Sequence, residues 1–335
     1  MFNKKKILIT GGTGSFGKSL FSHILQQYKP EKLIIYSRDE LKQKEMKDLF
    51  EAKYQKIIRF FIGDIRDKER LTTATKDIDI LIHAAALKQI DTAEYNPYEA
   101  IKTNILGSQN IIDASFANKI SKVIALSTDK AAQPISLYGA TKLVSDKLFV
   151  SANNTKGNNK TIFSVVRYGN VVGSRGSIIP IFKNISDTTN IFPLTHKDMT
   201  RFFITIEESV KFVSQCLNLM VGGEIFVPKI PSIKIIDLIK YFNSKPKIKI
   251  IGLRPGEKLY ETMCPNEEVS QTIEFKKYFV ITPAIRFYDV KNNFLKSKLG
   301  EMGKKVSKDF EYNSKNNIFL NKSEIKKYLD SENFY

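Results

Sequence analysis

Tyr138 and Lys142 stand four residues apart, a spacing that puts both side chains on one face of a helix. A lysine ammonium beside a phenol lowers the phenol's pKa, so the pair could take a proton from an alcohol while hydride leaves the same carbon. The spacing alone singles out nothing. Tyr28/Lys32, Tyr98/Lys102 and Tyr241/Lys245 share it, as a chain with 14 Tyr and 53 Lys plus Arg would show by chance. Context selects Tyr138, because its helical segment follows an apolar run that ends in Ser127-Thr128-Asp129-Lys130. Asp129 and Lys130 offer an acid and a potential base side by side, which is what removing water from a substrate requires and a simple alcohol oxidation does not. Without the tyrosine beside them they would read as a surface ion pair or a helix cap.

A second constellation lies near the start. Lys6-Ile-Leu-Ile-Thr10 runs into Gly11-Gly12-Thr13-Gly14-Ser15-Phe16-Gly17, a strand, a glycine turn and a helix start. Glycines in that position let the backbone approach a pyrophosphate held on the helix N-terminal amides. This makes Gly11, Thr13, Gly14, Ser15, Phe16 and Gly17 cofactor contacts. Where a carboxylate favouring NAD would stand, the second apolar run ends in Tyr36-Ser37-Arg38, with Lys42 one helical turn on. A hydroxyl and two cations suit a 2′-phosphate, so NADP is the expected cofactor. Asp39, the one dissenting carboxylate, reads as a helix cap. Asp64 and Ile65, after the third run, would lie against the adenine, and Ala84 to Ala86, after the fourth, on the nicotinamide side. Lys142 would hold the nicotinamide ribose.

The elements that must position these residues alternate. Strands are expected at Ile7–Thr10, Leu33–Tyr36, Ile57–Ile62, Ile78–Ala84, Lys122–Ser127 and Ile162–Arg167. Helices are expected over 16–28, 39–53, 97–118 and 137–152, the third with Pro97 in its first turn. Strict alternation predicts an α/β fold, a Rossmann doubly wound parallel sheet, with its ligands at the carboxyl edge. After Gly169 the pattern breaks into shorter elements. Residues 1–170 are therefore expected to form an NADP-binding Rossmann domain. Residues 171–335 would be mainly a smaller substrate-binding lobe, interleaved with late sheet elements such as a strand near Glu224–Val227.

Composition sets the outer bounds. With 335 residues, 42% hydrophobic and 26% charged, the chain can bury a sizeable core. No run approaches the roughly 20 apolar residues of a membrane helix, and the N-terminus reads as a first strand rather than a signal peptide. Two cysteines, Cys216 and Cys264, are too few for a disulfide framework and fit a cytoplasmic location. The formal charge of +18 comes from lysines scattered along the chain, which reads as a solvated basic surface and not as a nucleic-acid site. No metal cluster is expected.

Taken together, the motifs carry a resemblance over nearly the whole chain. Tyr138-x-x-x-Lys142 is the pair of the short-chain dehydrogenase/reductases. Ser127-Thr-Asp-Lys-Ala-Ala-Gln-Pro-Ile-Ser-Leu-Tyr-Gly-Ala-Thr-Lys142 resembles the core of the inverting UDP-N-acetylglucosamine 4,6-dehydratases of pseudaminic acid biosynthesis. So do His83-Ala-Ala-Ala-Leu-Lys88-Gln, Lys102-Thr-Asn104, Arg167-Tyr-Gly-Asn170-Val171-Val-Gly-Ser-Arg175-Gly, Met199-Thr-Arg201-Phe, the segment from Gly222 to Pro231, and Arg254-Pro-Gly-Glu257-Lys. Relatives that retain configuration at C5 carry glutamate where this chain has Lys130, and a polysaccharide group has methionine in place of Tyr138. Gln133 departs from the asparagine more usual in the group.

The resemblance implies dehydration of a UDP-sugar with C5 inversion. Tyr138 would deprotonate the 4-hydroxyl, Lys130 as a neutral amine would take the C5 proton, and Asp129 would protonate the leaving 6-hydroxyl. It further implies that Asn104 and Val171 join the cofactor set, and that Thr128, Lys88, Asn170, Arg201, Arg254 and Glu257 hold the substrate, the arginines facing its diphosphate. A homo-oligomer, with a hexamer as one form, belongs to the same expectation. Two other readings stay open: a UDP-N-acetylhexosamine 4-epimerase, which needs neither Asp129 nor Lys130, and a non-catalytic NADP-binding protein.

Overall fold

The computed structural model describes residues 1–50, 54–174 and 178–330. The chain opens with β1 (Lys6–Thr10), α1 (Ser15–Gln27), β2 (Lys32–Ser37), α2 (Glu40–Asp48), β3 (Ile58–Ile62), α3 (Lys68–Ala74) and β4 (Ile80–His83). It continues through α4 (Ile90–Tyr95), α5 (Pro97–Ile101), α6 (Gly107–Ala117), β5 (Lys122–Thr128), α7 (Leu137–Thr155) and β6 (Ile162–Tyr168). The apolar runs form strands because both faces of the sheet are covered. Ile7 to Ile9, Leu33, Ile35, Leu81, Ile82, Val123, Ile124, Val165 and Val166 are all essentially inaccessible to solvent, as the strands of parallel sheets are. Burying each such side chain contributes roughly 1.5–3 kcal/mol.

The second half adds β7 (Asn170–Val171), α8 (Ile178–Asp187), β8 (Ile191–Leu194), β9 (Thr200–Ile204), α9 (Ile206–Leu219), β10 (Ile225–Pro228) and β11 (Ser232–Lys234). After these come α10 (Ile235–Phe242), β12 (Lys247–Ile250), β13 (Thr262–Cys264), β14 (Thr272–Glu274), β15 (Tyr278–Ile281), β16 (Lys304–Lys305), β17 (Tyr312–Asn313) and α11 (Lys322–Asp330). The main sheet runs β16-β14-β15-β10-β6-β5-β4-β1-β2-β3. From β3 to β10 it is parallel, and β15, β14 and β16 extend it antiparallel. The strand foreseen near Glu224–Val227 is β10, beside β6. Strand order reverses between β1 and β4, which both leave their carboxyl ends at the same crevice, the usual ligand position in such sheets.

A second apolar core belongs to the later segments. Phe182, Phe192, Leu194, Met199, Phe203, Ile233, Leu238 and Ile239 gather there, closed by Ile325 and Leu329 of α11. The polar tail after Lys291 therefore contributes to this core. Two sequence expectations need adjustment. The single helix over 97–118 is α5 and α6 joined by a π turn at Lys102–Leu106, and the helix over 39–53 is α2, ending at Asp48, with 51–53 outside the described residues. Arg175 and Gly176 also lie outside them.

Beneath the crevice, Arg167 on β6 is wholly buried. It meets Asp146 of α7 at 3.4 Å and Glu268 at 3.1 Å, and donates to the Met263 carbonyl at 3.0 Å. Asp146 in turn accepts from Ser127 at 2.8 Å. Removing one member of such a network strands the other charges in a low-dielectric interior. Arg167→Met should therefore lower stability by about 3–5 kcal/mol, measured as a loss in chemical-denaturation midpoint, even though Arg167 touches no part of the cavity described below.

Candidate active site

A cavity of about 1030 Å³ opens over the carboxyl ends of β1, β4, β5 and β6 and runs under the second lobe. Its phosphate end is built by the first turn. Gly11 has φ +65°, and a Cβ there would stand 2.8 Å from the Ala85 backbone, so the loop can lie against the end of β4 only as glycine. Gly17 does the same for the helix, since a Cβ would come within 2.5 Å of Gly12. The result is a helix N-terminus capped by Gly14 with no side-chain acceptor and no acidic residue in its first turn. Its first turn lines the cavity, where an anion would meet the positive end of the helix. These residues fit a dinucleotide pyrophosphate.

Further along, Ser37, Arg38 and Lys42 line the wall at the end of β2, with Asp64 and Ile65 opposite. Both cations already face carboxylates. Arg38 Nη1 is 3.6 Å from Asp64 Oδ2, and Lys42 Nζ pairs with Asp39. Asp39 also caps α2, its Oδ1 accepting from the Lys42 amide at 3.0 Å. Burial works against the Asp64 carboxylate, but Arg66, donating from Nε at 2.8 Å, holds its pKa below the ordinary value.

The catalytic candidates sit where β5 runs into a short turn, Asp129–Ala131, and α7 begins beyond it. Ser136 caps α7, accepting from the Gly139 amide. Gly139 packs on the Lys130 carbonyl, where a Cβ would clash, and so α7 brings Tyr138 and Lys142 down beside the turn. Tyr138 lies beside Thr128, whose Oγ1 donates to Asp129 Oδ1 at 2.9 Å. Lys130 Nζ donates to the same oxygen at 3.1 Å. Lys142 is buried and donates to the Leu126 carbonyl at 2.8 Å.

Electrostatics depart from the sequence reading in two ways. Burial alone would push the Lys130 pKa down, as the neutral-amine expectation supposes. Asp129 on one side and Glu261 on the other, its Oε1 3.3 Å from Nζ, outweigh burial and raise the pKa above the ordinary value. Lys130 is thus an ammonium in this structure. Tyr138, too, is pushed up to about 12 by burial. The cation that opposes this shift is Lys130, not Lys142, whose own pKa burial lowers against the pull of Asp146. His83, at the end of β4, is driven down to about 3 by burial and stays neutral. Its Nδ1 lies 2.8 Å from Thr10 Oγ1, tying β4 to β1 at the crevice.

The outer end is lined by Lys88, Asn170, Arg201, Arg254 and Glu257. Arg254 is largely exposed and reaches Glu257 Oε1 at 3.1 Å. Arg201 is only 8% exposed. Its Nη1 donates to the Thr200 and Leu259 carbonyls, and Glu257 and Glu261 lie 3.5 and 3.8 Å away. It is a strut of the wall as well as part of its surface. Burial lowers the pKa of Lys88.

Of the sequence-derived site residues, the cavity gathers Gly11, Thr13 to Gly17, Ala84, Ala85, Val171 and all the others named above except Asn104. Asn104 is buried behind the wall. Its Oδ1 accepts from the Leu87 amide, and its Nδ2 donates to the Leu87 carbonyl and to Thr141 Oγ1, all at 2.9–3.0 Å. The π turn rotates it inward, and Thr103 lines the cavity in its place. Gln133 has φ +48°, a left-handed conformation that asparagine adopts more readily, and its amide donates to Glu267. Sequence reasoning missed Glu261. The only signal was its position four residues past Glu257.

Comparisons with known proteins find relatives over nearly the whole chain. A family model described as polysaccharide biosynthesis protein matches residues 7–283. A Campylobacter jejuni protein named UDP-N-acetylglucosamine 4,6-dehydratase (inverting) is 57% identical over 95% of this chain and 94% of its own. A Rickettsia bellii protein named UDP-glucose 4-epimerase is 41% identical over 98% of this chain and 96% of its own. Among solved structures, Pen from Bacillus thuringiensis superposes with a TM-score of 0.88 at 36% identity, covering 100% of this chain and 99% of that one.

Proposed function

Since this chain belongs to the polysaccharide biosynthesis protein family, we propose that it dehydrates UDP-N-acetylglucosamine across C4 and C6 with inversion at C5. The product is a UDP-2-acetamido-2,6-dideoxy-β-L-arabino-hexos-4-ulose, a starting point for pseudaminic acid. The reading is supported by the Campylobacter relative's name and identity. It rests above all on one observation: a buried lysine and carboxylate, Lys130 and Asp129, in contact beside Thr128 and Tyr138 at the carboxyl edge of the sheet.

NADP would be held by the Gly11–Gly17 turn, Ser37, Arg38, Lys42 and Lys142, and when bound it supplies a reversible hydride acceptor. The chain's residues handle the protons. Tyr138, whose buried phenol must first give up its own proton to solvent, takes one from the sugar 4-hydroxyl as the phenolate, and the ketone so formed acidifies C5–H. Because Lys130 is an ammonium and Asp129 must act as an acid, one proton shift from Nζ to Oδ1, across 3.1 Å, creates the base and the acid together. Lys130 then accepts the C5 proton while Asp129 gives its proton to the departing 6-hydroxyl, which returns both to their resting charges. Lys88, Thr128, Asn170, Arg254 and Glu257 bind the UDP-sugar, with Arg201 fixing the wall behind them.

Proton NMR in heavy water tests the reading. Incubation with UDP-N-acetylglucosamine should produce a C6 methyl signal with deuterium at C5. The Rickettsia relative's name supports a second reading, 4-epimerisation. Conversion to UDP-N-acetylgalactosamine without a methyl signal would establish that one instead.

The choice of NADP over NAD rests on Arg38 and Lys42. Each charged contact to a 2′-phosphate contributes about 1.5–3 kcal/mol. Replacing both by alanine should therefore weaken NADP binding by at least about 100-fold in a fluorescence titration and leave NAD binding nearly unchanged.

The proposal extends to a cytoplasmic homo-oligomer. Its support is that Cys216 and Cys264 are free and buried, that no helix among the described residues is long and apolar enough to cross a membrane, and that Tyr95, Tyr98, Leu106 and Val144 stand exposed on the α4–α7 side.

A further inference from the structure

Glu261 belongs to none of the motifs that point to the reaction, yet it lies inside the cavity with its side chain 3% exposed. Its backbone is fixed by a segment far along the chain. The Glu261 amide donates to Ser314 Oγ at 3.0 Å, and the Ser314 amide donates back to the Glu261 carbonyl at 2.8 Å. From there Oε1 faces Lys130 Nζ at 3.3 Å and Arg201 Nε at 3.8 Å. Oε2 is buried without a hydrogen-bond partner, as is Asp129 Oδ2. Two buried carboxylates each keep one open acceptor, so a ligand bringing hydroxyl donors fits this floor.

We propose that Glu261 is the positioning residue of the Lys130 base: a carboxylate that stays anionic and sustains the basicity of the Lys130 amine once Asp129 has been protonated. The inference rests on the dehydratase reading. During elimination the proton of Lys130 Nζ moves to Asp129 Oδ1, and the charge of Asp129 is lost. Burial then disfavours a new ammonium, and the amine would be a poor acceptor for a carbon-bound proton. Glu261 supplies the missing counter-charge. The C5–H bond breaks, its proton goes to Nζ, and its electron pair forms the C5–C6 double bond. The C6–O bond breaks, and the leaving oxygen takes the Asp129 proton as water. The site ends as it began, with Asp129 and Glu261 anionic and Lys130 an ammonium. Arg201, anchored to two carbonyls, keeps a cation 3.8 Å from Glu261 Oε1. The groups facing Lys130 are Asp129 from its own turn, Tyr138 from α7, Arg201 from β9 and Glu261. Lys258 also faces Glu261 across the site.

An opposite charge at this distance moves a pKa by about 1–3 units, so its removal should slow C5 deprotonation by about 10- to 1000-fold. The test compares wild type, E261Q and E261D with UDP-N-acetylglucosamine in heavy water, reading reduced nicotinamide by absorbance and C5 deuterium and the C6 methyl by NMR. Active sites are counted from the reduced nicotinamide itself, so an unfolded fraction drops out of the ratio. E261Q is expected to lose C5 exchange per reduced nicotinamide formed, and E261D, which keeps the charge, to recover much of it. The alkaline limb of the E261Q rate profile should also move to lower pH, because Lys130 loses a stabilising anion. E261Q exchanging C5 as fast as wild type, or faster than E261D, would overturn the inference. A wild-type enzyme that makes no C6 methyl would overturn the dehydratase reading instead.

Discussion

Lys130→Met is expected to reduce dehydration by at least about 1000-fold, at the upper end of what a general base contributes, while C4 oxidation survives. The signature is reduced nicotinamide that accumulates with substrate, without C5 deuterium or a C6 methyl. The same substitution carries a stability cost. It leaves Asp129 and Glu261 on either side of an uncharged side chain, and an uncompensated buried charge costs about 3–5 kcal/mol. That cost depends on pH with a definite sign, set by Lys130. In the wild type Lys130 has a raised folded pKa. Its contribution is complete below the ordinary lysine value of 10.5 and is lost only as pH climbs through the folded value. The gap in melting temperature between wild type and the variant should therefore narrow only in strong alkali. A variant equally stable at pH 7 would contradict the ion-triad description.

Tyr138→Phe should cost about 100- to 10,000-fold and fail one step earlier. No reduced nicotinamide forms, and therefore no C5 exchange occurs, because the C5 proton becomes acidic only beside a C4 ketone. The phenol hydroxyl lies beside Thr128 at the cavity wall, and its loss should change stability by no more than about 1.5 kcal/mol. The two variants therefore divide the reaction at the ketone. Tyr138→Phe stops before it and Lys130→Met after it, and single-turnover absorbance with parallel NMR separates them. If Tyr138→Phe still exchanged C5, some other group would be deprotonating the 4-hydroxyl.

Much of this was legible because it is local. The glycine turn, the β/α alternation and the Tyr138/Lys142 spacing each report on residues that stay neighbours after folding, and the strands appear within a residue or two of where their apolar runs end. The state of Lys130 was not legible. Burial alone argues for the neutral amine that the resemblance implies. The sign reverses because Glu261 arrives from the other half of the chain, held by Ser314, and no periodicity announces such a contact. Asn104 was misplaced for a related reason. A straight helix over 97–118 would present it differently, and one π turn takes its amide away from the cavity and onto Leu87 and Thr141. Arg167, read as part of a binding motif, is a structural ion-pair partner whose importance lies in the groups it would leave behind.

The hydrogen bonds between Ser314 and Glu261, and the packing of α11 onto the second core, also bear on how the enzyme is made. Domains emerge from the ribosome N-terminal end first, and β1 to β6 contain the whole glycine turn, Asp129, Lys130 and Tyr138. A nascent chain can therefore assemble the dinucleotide half, with Lys130 next to Asp129 alone, while the partner carboxylate still awaits β17, which pairs with β13, and the residues of α11. A chain made only as far as the late 200s would carry Asp129 and Lys130 without the Ser314 hydrogen bonds that fix Glu261.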